Sequence, residues 1–173
     1  DESKARELTS QLWAMANSLR GKMDASEFRD YILGFIFYRY LSAKQERFLK
    51  DSGLLIINDG ETVNDAFARD VQEEGIDEWH QALSEELGYA IDPDDTWATL
   101  VRKVKDQQVR PEDFGNIFDH FKQNAQLNAN ASRDFRDVFD DINLMNSSLG
   151  NSTAARTKAL ADLVERIDEV NFL

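Results

Sequence analysis

The stretch that most limits what this chain can become runs from Met23 to Lys50, MDASEFRDYILGFIFYRYLSAKQERFLK. It opens with a helix start. Asp24 can cap, Glu27 can reach back as in a capping box, and Met23 and Phe28 stand at the two positions of a hydrophobic staple. From Tyr31 to Leu41 the run YILGFIFYRYL is apolar or aromatic on nearly every side, broken only by Gly34 and Arg39. A helix hydrophobic all round is a buried helix. Spanning a bilayer takes about 20 apolar residues, more than this run offers. The stretch therefore predicts the central helix of a water-surrounded domain, at about 25–50, with a basic tail of Lys44, Arg47 and Lys50.

The rest of the chain supplies helices to cover it. Leu8, Leu12, Met15 and Leu19 recur at helical steps, with Trp13 and Ala16 widening the stripe, so a first helix is expected from about Ser3 to Arg20. Gly21 sits where a left-handed residue ends such a helix. Leu54-Leu55-Ile56-Ile57, closed by Asn58-Asp59-Gly60, reads as a short strand. Tyr89-Ala90-Ile91 alternates and could pair with it, so at most a small two-stranded β piece (about 54–57 and 89–91) is expected, needing helices to lean on. Thr62 and Asp65 open a helix through Val63, Phe67 and Val71 that Gly75 ends. Asp77 to Leu87 is another, stopped by Gly88. Trp97, Leu100, Val101 and Val104 mark a helix after Asp92-Pro93-Asp94-Asp95. Pro111 starts one with Phe114, Ile117, Phe118 and Phe121 inward. The Asn- and Gln-rich QNAQLNANAS weakens into a loop, and Phe135, Val138, Phe139 and Ile142 suggest a short helix. After the turn Leu149-Gly150-Asn151, Ser152 or Thr153 caps a last helix through Leu160, Leu163, Val164 and Ile167. The fold class is mainly α, a single multi-helix domain over 1–173.

Charge divides the chain unevenly. Residues 1–50 carry nine Lys/Arg against seven Asp/Glu, residues 51–101 one (Arg69) against fourteen, and residues 102–173 ten against twelve, for a net −13. The middle third alone makes the protein acidic, and such a face repels phosphate. With no cysteine there is neither a disulfide framework nor thiol chemistry, which is compatible with a reducing cytosol. The ends, Asp1 without a Met and Val170-Asn171-Phe172-Leu173 without a polar tail, read as those of a segment of a longer protein.

No residue set for catalysis stands out. His80 and His120 lie in no metal-ligand spacing and read as satisfied or exposed histidines. The chain has no nucleophile elbow, phosphate-binding loop or dinucleotide glycine pattern. The cluster Asp92-Pro93-Asp94-Asp95 lacks the spacing and glycine of a calcium loop, and acidic residues with Pro suit a helix start. Trp13, Trp79 and Trp97 each lie on a helical apolar stripe and read as core.

The segment Leu12-Trp13 … Leu19-Arg20-Gly21-Lys22-Met23-Asp24-Ala25-Ser26-Glu27-Phe28, continuing into Ile32-Leu33-Gly34-Phe35-Ile36-Phe37-Tyr38-Arg39-Tyr40-Leu41-Ser42, resembles the N-terminal domain of modification (M) subunits of type I restriction-modification enzymes. The likeness is close over residues 8–42. It is looser at Gly88-Tyr89-Ala90-Ile91, Trp97 and Leu149-Gly150. The pairing of LRGKMDASE with LGFIF is far more specific than any single short motif in the chain. The resemblance implies a helical accessory domain of an adenine-N6 DNA methyltransferase. The catalytic domain that binds S-adenosylmethionine and carries an Asn/Asp-Pro-Pro-aromatic motif would follow it, and that motif is not in these residues. No cofactor, metal or catalytic residue is therefore expected in this segment. The implied partners are a second M subunit, a specificity subunit and a restriction subunit, with DNA enclosed by the assembled cytoplasmic complex and no membrane involved.

If the segment touches DNA, the candidate phosphate contacts are Arg20, Lys22, Arg29, Arg39, Lys44, Arg47 and Lys50. Two of these have structural alternatives. Arg20 could serve a helix C-terminus, and Arg39, inside the apolar run, could be a buried ion-pair partner. Two other classes of function stay open on the sequence: an acidic DNA-mimic inhibitor presenting the carboxylates of 59–95, and a helical protein–protein adaptor.

Overall fold

A computed structural model of the chain describes residues 2–3, 6–7, 10–11, 13–14, 25–127, 135 and 137–170. Among them it is all helical, with six helices and no strand: α1 Ala25–Asp51, α2 Val63–Glu74, α3 Asp77–Leu87, α4 Trp97–Lys105, α5 Pro111–Ala125 and α6 Thr153–Glu169. Two short 3-10 turns, Pro93–Asp95 and Ser147–Leu149, precede α4 and α6. The described residues between 2 and 14 are helical as well. The stripe Leu8, Leu12, Met15 and Leu19, the Arg20-Gly21-Lys22 elbow and the caps at Met23 and Asp24 lie outside the described residues.

α1, 27 residues and about 40 Å long at 1.5 Å per residue, is the axis of the fold. It buries Tyr31, Ile32, Phe35, Tyr38 and Leu41 against α4, α5 and α6. Phe35, Tyr38, Tyr89, Phe114, Phe118, Phe121 and Phe139 form one aromatic cluster whose ring pairs are edge-on or tilted, none stacked face to face, as the ring quadrupole favours. A second cluster, around Phe67, Trp79 and Leu83, lies between α2, α3 and the end of α1. The run Tyr31–Leu41 is not buried all round. Leu33 and Tyr40 are 54% and 57% exposed, so α1 has an open face. Trp79 and Trp97 are core, as their spacing suggests, whereas Trp13 is 57% exposed.

The helix boundaries follow their punctuation. Thr62 caps α2 by accepting from the Asp65 amide at 3.1 Å, and Gly75 ends it at φ +92°. Gly88 ends α3 in the left-handed region. Ser152 caps α6 through the Ala155 amide at 3.1 Å. Of the short helix expected near Phe135–Ile142, Phe135 is helical, whereas 137–141 is a run of turns that buries Phe139 and leaves Val138 exposed. These turns lie across α1 at Gly34, where a Cβ would collide with the Ile142 side chain. The Tyr31 hydroxyl donates to the Asn143 carbonyl beside it.

The two-stranded β piece does not form among the described residues, and the reason is visible at Ile91. Its amide donates to Gln45 Oε1 and its carbonyl accepts from Gln45 Nε2, both at 2.8 Å. The Ala90 carbonyl accepts from Asn124 Nδ2 at 3.0 Å. Side chains of α1 and α5 thus meet the backbone needs that a neighbouring strand would have met.

Candidate nucleic-acid interface

Arg29, Leu33, Ile36, Tyr40, Lys44 and Arg47 follow one another at three- and four-residue steps, which places them on one face of α1. Arg29, Lys44 and Arg47 are exposed along it, and Lys50 is exposed one helical step further on. Phe37 stacks on Tyr40 with ring centroids 6.3 Å apart and planes 18° apart, which holds the tyrosine ring on the rim of this face. The result is a stripe of cations interrupted by Leu33 and Tyr40.

The ion pairing of the cations separates this stripe from most of the others, although Arg156, Lys158 and Arg166 of α6 also have no ion-pair partner among the described residues. Arg69, Arg102, Lys103, Lys105, Arg110 and Lys122 each face a carboxylate. Arg29, Lys44, Arg47 and Lys50 have no ion-pair partner among the described residues. In a chain of net −13, Lys44, Arg47 and Lys50 within two turns of each other make a local positive field on an otherwise negative body, with Arg29 about 22 Å further back along the helix.

Arg39 is placed differently from the other candidates. Its guanidinium is half-buried and donates to the carbonyls of Ile167 and Val170, the latter at 2.8 Å. It therefore closes the C-terminal end of α6, where free carbonyls and the helix dipole favour a cation. Burial lowers its pKa from the usual arginine value, and the charge of nearby Asp168 opposes that shift. Arg20 and Lys22 lie outside the described residues.

A polar knot that the sequence did not disclose sits behind the stripe, at residues 89–99. His80 Nε2 lies 2.6 Å from Asp92 Oδ1, and His120 Nδ1 lies 2.9 Å from Asp95 Oδ2. Both histidines of the chain are thus held by the Asp92-Pro93-Asp94-Asp95 turn, one from α3 and one from α5. The Tyr38 hydroxyl donates to the Asp95 carbonyl at 2.6 Å, and the Trp97 amide donates to Ser42 Oγ at 2.9 Å. Thr96 Oγ1 donates to Asn64 Oδ1 at 2.7 Å, bringing in α2. Burial pushes the Asp95 carboxyl up, against the opposing hydrogen bond and charge of His120. No group of three His, Asp or Glu side chains among the described residues could hold a metal ion. A cleft of about 150 Å3 beside His120 includes Lys103 and Arg110, but both are drawn to Asp113, at 3.8 and 3.1 Å. Their charge is spent within the fold, which leaves little to hold an anionic ligand there. The exposed Leu33 and Tyr40 were also missed at the sequence level. A helical projection of the cations would have found them, because they fill the gaps in the Arg29–Arg47 stripe.

The model of the HsdM N-terminal domain family matches residues 8–167. The chain belongs to that family. The Mycoplasma pneumoniae protein described as the type I restriction enzyme MpnII methylase subunit is 28% identical over 169 residues, covering 94% of this chain and 30% of the relative. The crystal structure of a type I restriction-modification system methyltransferase subunit from Streptococcus thermophilus superposes with a TM-score of 0.77 at 27% identity, covering 96% of this chain and 34% of that one. The chain thus spans about a third of the length of the relatives it matches. It is an N-terminal domain of the type I methylase-subunit kind, and this family membership sets it apart from the DNA-mimic reading.

Proposed function

We propose that this HsdM N-terminal domain is the accessory part of an adenine-N6 DNA methyltransferase M subunit, and that it helps to enclose DNA within a complex with a specificity subunit and a second M subunit. On this reading residues 1–173 form one domain. A following catalytic domain of the same cytoplasmic subunit binds S-adenosylmethionine, and a restriction subunit can join the assembly. The observation that carries the proposal is the run of unpaired cations Arg29, Lys44, Arg47 and Lys50 along the open face of α1. Arg29 to Arg47 spans about 27 Å at 1.5 Å per residue, enough to follow several phosphates of one strand. Such contacts position the duplex without reading its sequence, and an enzyme that must extrude its target base gains from a scaffold that holds the flanking DNA.

The acidic middle third opposes general DNA affinity, so the stripe acts only where partner subunits supply most of the positive field. The test is a salt titration of DNA affinity for the assembled complex, wild type beside Lys44→Ala/Arg47→Ala. The double variant should bind more weakly on all sequences, with the salt slope reduced by roughly one unit per lost phosphate contact. Equal affinities and slopes would remove α1 from the DNA path.

A further inference from the structure

Between α1 and α2 the chain passes through Leu54-Leu55-Ile56-Ile57, a sequence built for a strand that here has no strand beside it. Its side chains alternate. Leu55 is buried in the cluster around Phe67 and Trp79 with Ile57 packed against it, while Leu54 and Ile56 point outward, 61% and 74% exposed. Its backbone is open as well. The Leu54 amide donates to Ser52 Oγ, and the Ile56 carbonyl accepts from Arg69 Nη2 at 2.8 Å. The amides of Leu55, Ile56 and Ile57 and the carbonyls of Leu54, Leu55 and Ile57 have no partner among the described residues. Arg69 pins the segment from the α2 side and is itself neutralised by Glu61 at 3.1 Å. An anchored edge with free backbone groups and outward apolar side chains is what strand addition by another chain requires.

We infer that the Leu54–Ile57 edge is a docking site for an extended segment of a partner protein in which Lys or Arg alternates with apolar residues. The edge lies within the 51–101 portion, which carries fourteen carboxylates against Arg69 alone. Asp51, Asp59, Glu73, Glu74, Asp77 and Glu78 are exposed on the elements that flank it. Glu73, one turn beyond Arg69 on α2, is close enough to add to the field that keeps Arg69 charged. This surface excludes nucleic acid and disfavours an acidic segment, while a basic one gains in encounter rate and specificity. Outward Leu54 and Ile56 supply the apolar contacts, and the free backbone groups supply the register. The proposal uses none of Arg29, Lys44 and Arg47, and the one α1 cation near the edge, Lys50, is outweighed by the flanking carboxylates, so it stands or falls separately from the DNA reading.

The experiment is hydrogen exchange on the full-length parent subunit, with and without an acetylated peptide of alternating Val and Lys. The amides of Leu55 and Ile57, which face away from the Arg69 side, should exchange fast in the free subunit and slow in the presence of the peptide, while that of Ile56 should change little. N-methylation of the peptide on its edge-facing amides should abolish that protection while leaving its charge intact. In the subunit, Leu54→Ser/Ile56→Ser keeps the net charge and should weaken peptide affinity by about tenfold or more, as expected for losing buried aliphatic contacts. The thermal unfolding midpoint reports that the variant still folds. Fast exchange that stays fast with peptide overturns the proposal, as does equal binding by the serine variant, which would make the attraction charge alone. Amides already protected in the free subunit would show the edge covered by the subunit's own chain, and would equally overturn it.

Discussion

Gln45 holds Ile91 by both ends of its amide, Nε2 to the carbonyl and Oε1 to the backbone amide, each at 2.8 Å in the buried interior. One side chain of the central helix thus replaces a strand partner for the segment that follows α3. Replacing Gln45 by Leu would leave a buried donor and a buried acceptor unpaired. Each such group costs about 1–3 kcal/mol, so Gln45→Leu should destabilise by roughly 2–6 kcal/mol, read as a shift in the urea midpoint. A change below about 0.5 kcal/mol would mean that water relieves Ile91 and that the pairing is incidental.

Phe35 and Leu33 test which side of α1 faces the core. Phe35 is fully buried between Phe114 and Phe118, and Phe35→Ala should cost about 3–5 kcal/mol. Leu33, two residues earlier and 54% exposed, should cost less than about 1 kcal/mol as Ala. Thermal unfolding of the two variants side by side checks this. Similar losses at both sites would mean that Leu33 is covered.

Two glycines should respond in opposite senses to alanine. A Cβ at Gly150 would lie 2.6 Å from Ala155 Cβ and 3.0 Å from the backbone of Ala155 and Arg156, atoms fixed by the first turn of α6. Gly150→Ala should therefore cost about 1–3 kcal/mol through forced displacement. Gly115 stands inside α5, and the nearest atom to its added Cβ is Leu144 Cδ1 at 3.9 Å, an ordinary contact. Gly115→Ala should stabilise by about 0.5–1 kcal/mol, because glycine gives up more chain entropy in a helix. Denaturant unfolding that ranked the two the other way would refute the packing at Gly150.

Tyr38 gives the fold an alkaline limit. Its hydroxyl is buried and donates to the Asp95 carbonyl, and burial first, then the charges of Asp95 and Asp92, push its pKa well above 10.0. Tyr89, also raised by burial, donates to the Leu41 carbonyl at 2.7 Å. A tyrosine whose folded pKa exceeds its unfolded one, about 10, binds its proton more tightly when folded. Its contribution is complete below the unfolded pKa and is lost as pH rises through the folded one. Stability should hold near neutral pH and fall above about pH 10, and Tyr38→Phe should be less stable at neutral pH yet fall less steeply. Denaturant unfolding across that range decides it. Parallel curves for the two proteins would show that Tyr38 is not the group titrating.

The helices were legible wherever the chain carries its own punctuation. Thr62, Gly75, Gly88, Pro111 and Ser152 stand at the ends they predicted, because caps and left-handed glycines act within one turn of chain. The apolar spacing of Phe114, Ile117, Phe118 and Phe121 likewise named its inward face. Features that depend on distant partners were harder to read. Leu54–Ile57 has the composition of a strand, but only the fold reveals that Gln45 and Asn124 already occupy the backbone of 90–91. Trp13 has core spacing yet is exposed, and Leu33 and Tyr40 looked buried because an apolar run does not show which of its sides the other helices will cover. The cations of the α1 face were named from the sequence, whereas the separation of Arg39 from them depends on α6, more than a hundred residues later.

The segment from Tyr89 to Thr96 has a further consequence for how relatives of this chain can vary in length. Loops between helices ordinarily absorb insertions, since little depends on their backbone. Here the peptide groups of Ala90, Ile91 and Asp95 and the side chains of Asp92, Asp95 and Thr96 are each matched to a particular atom on α1, α2, α3 or α5. One added residue would shift every later group out of phase with its helix, and several buried pairings would fail together. Length variation should therefore gather elsewhere, as between α5 and the Phe139 turn, while this connection keeps a fixed count of residues, much as a key keeps the spacing of its teeth.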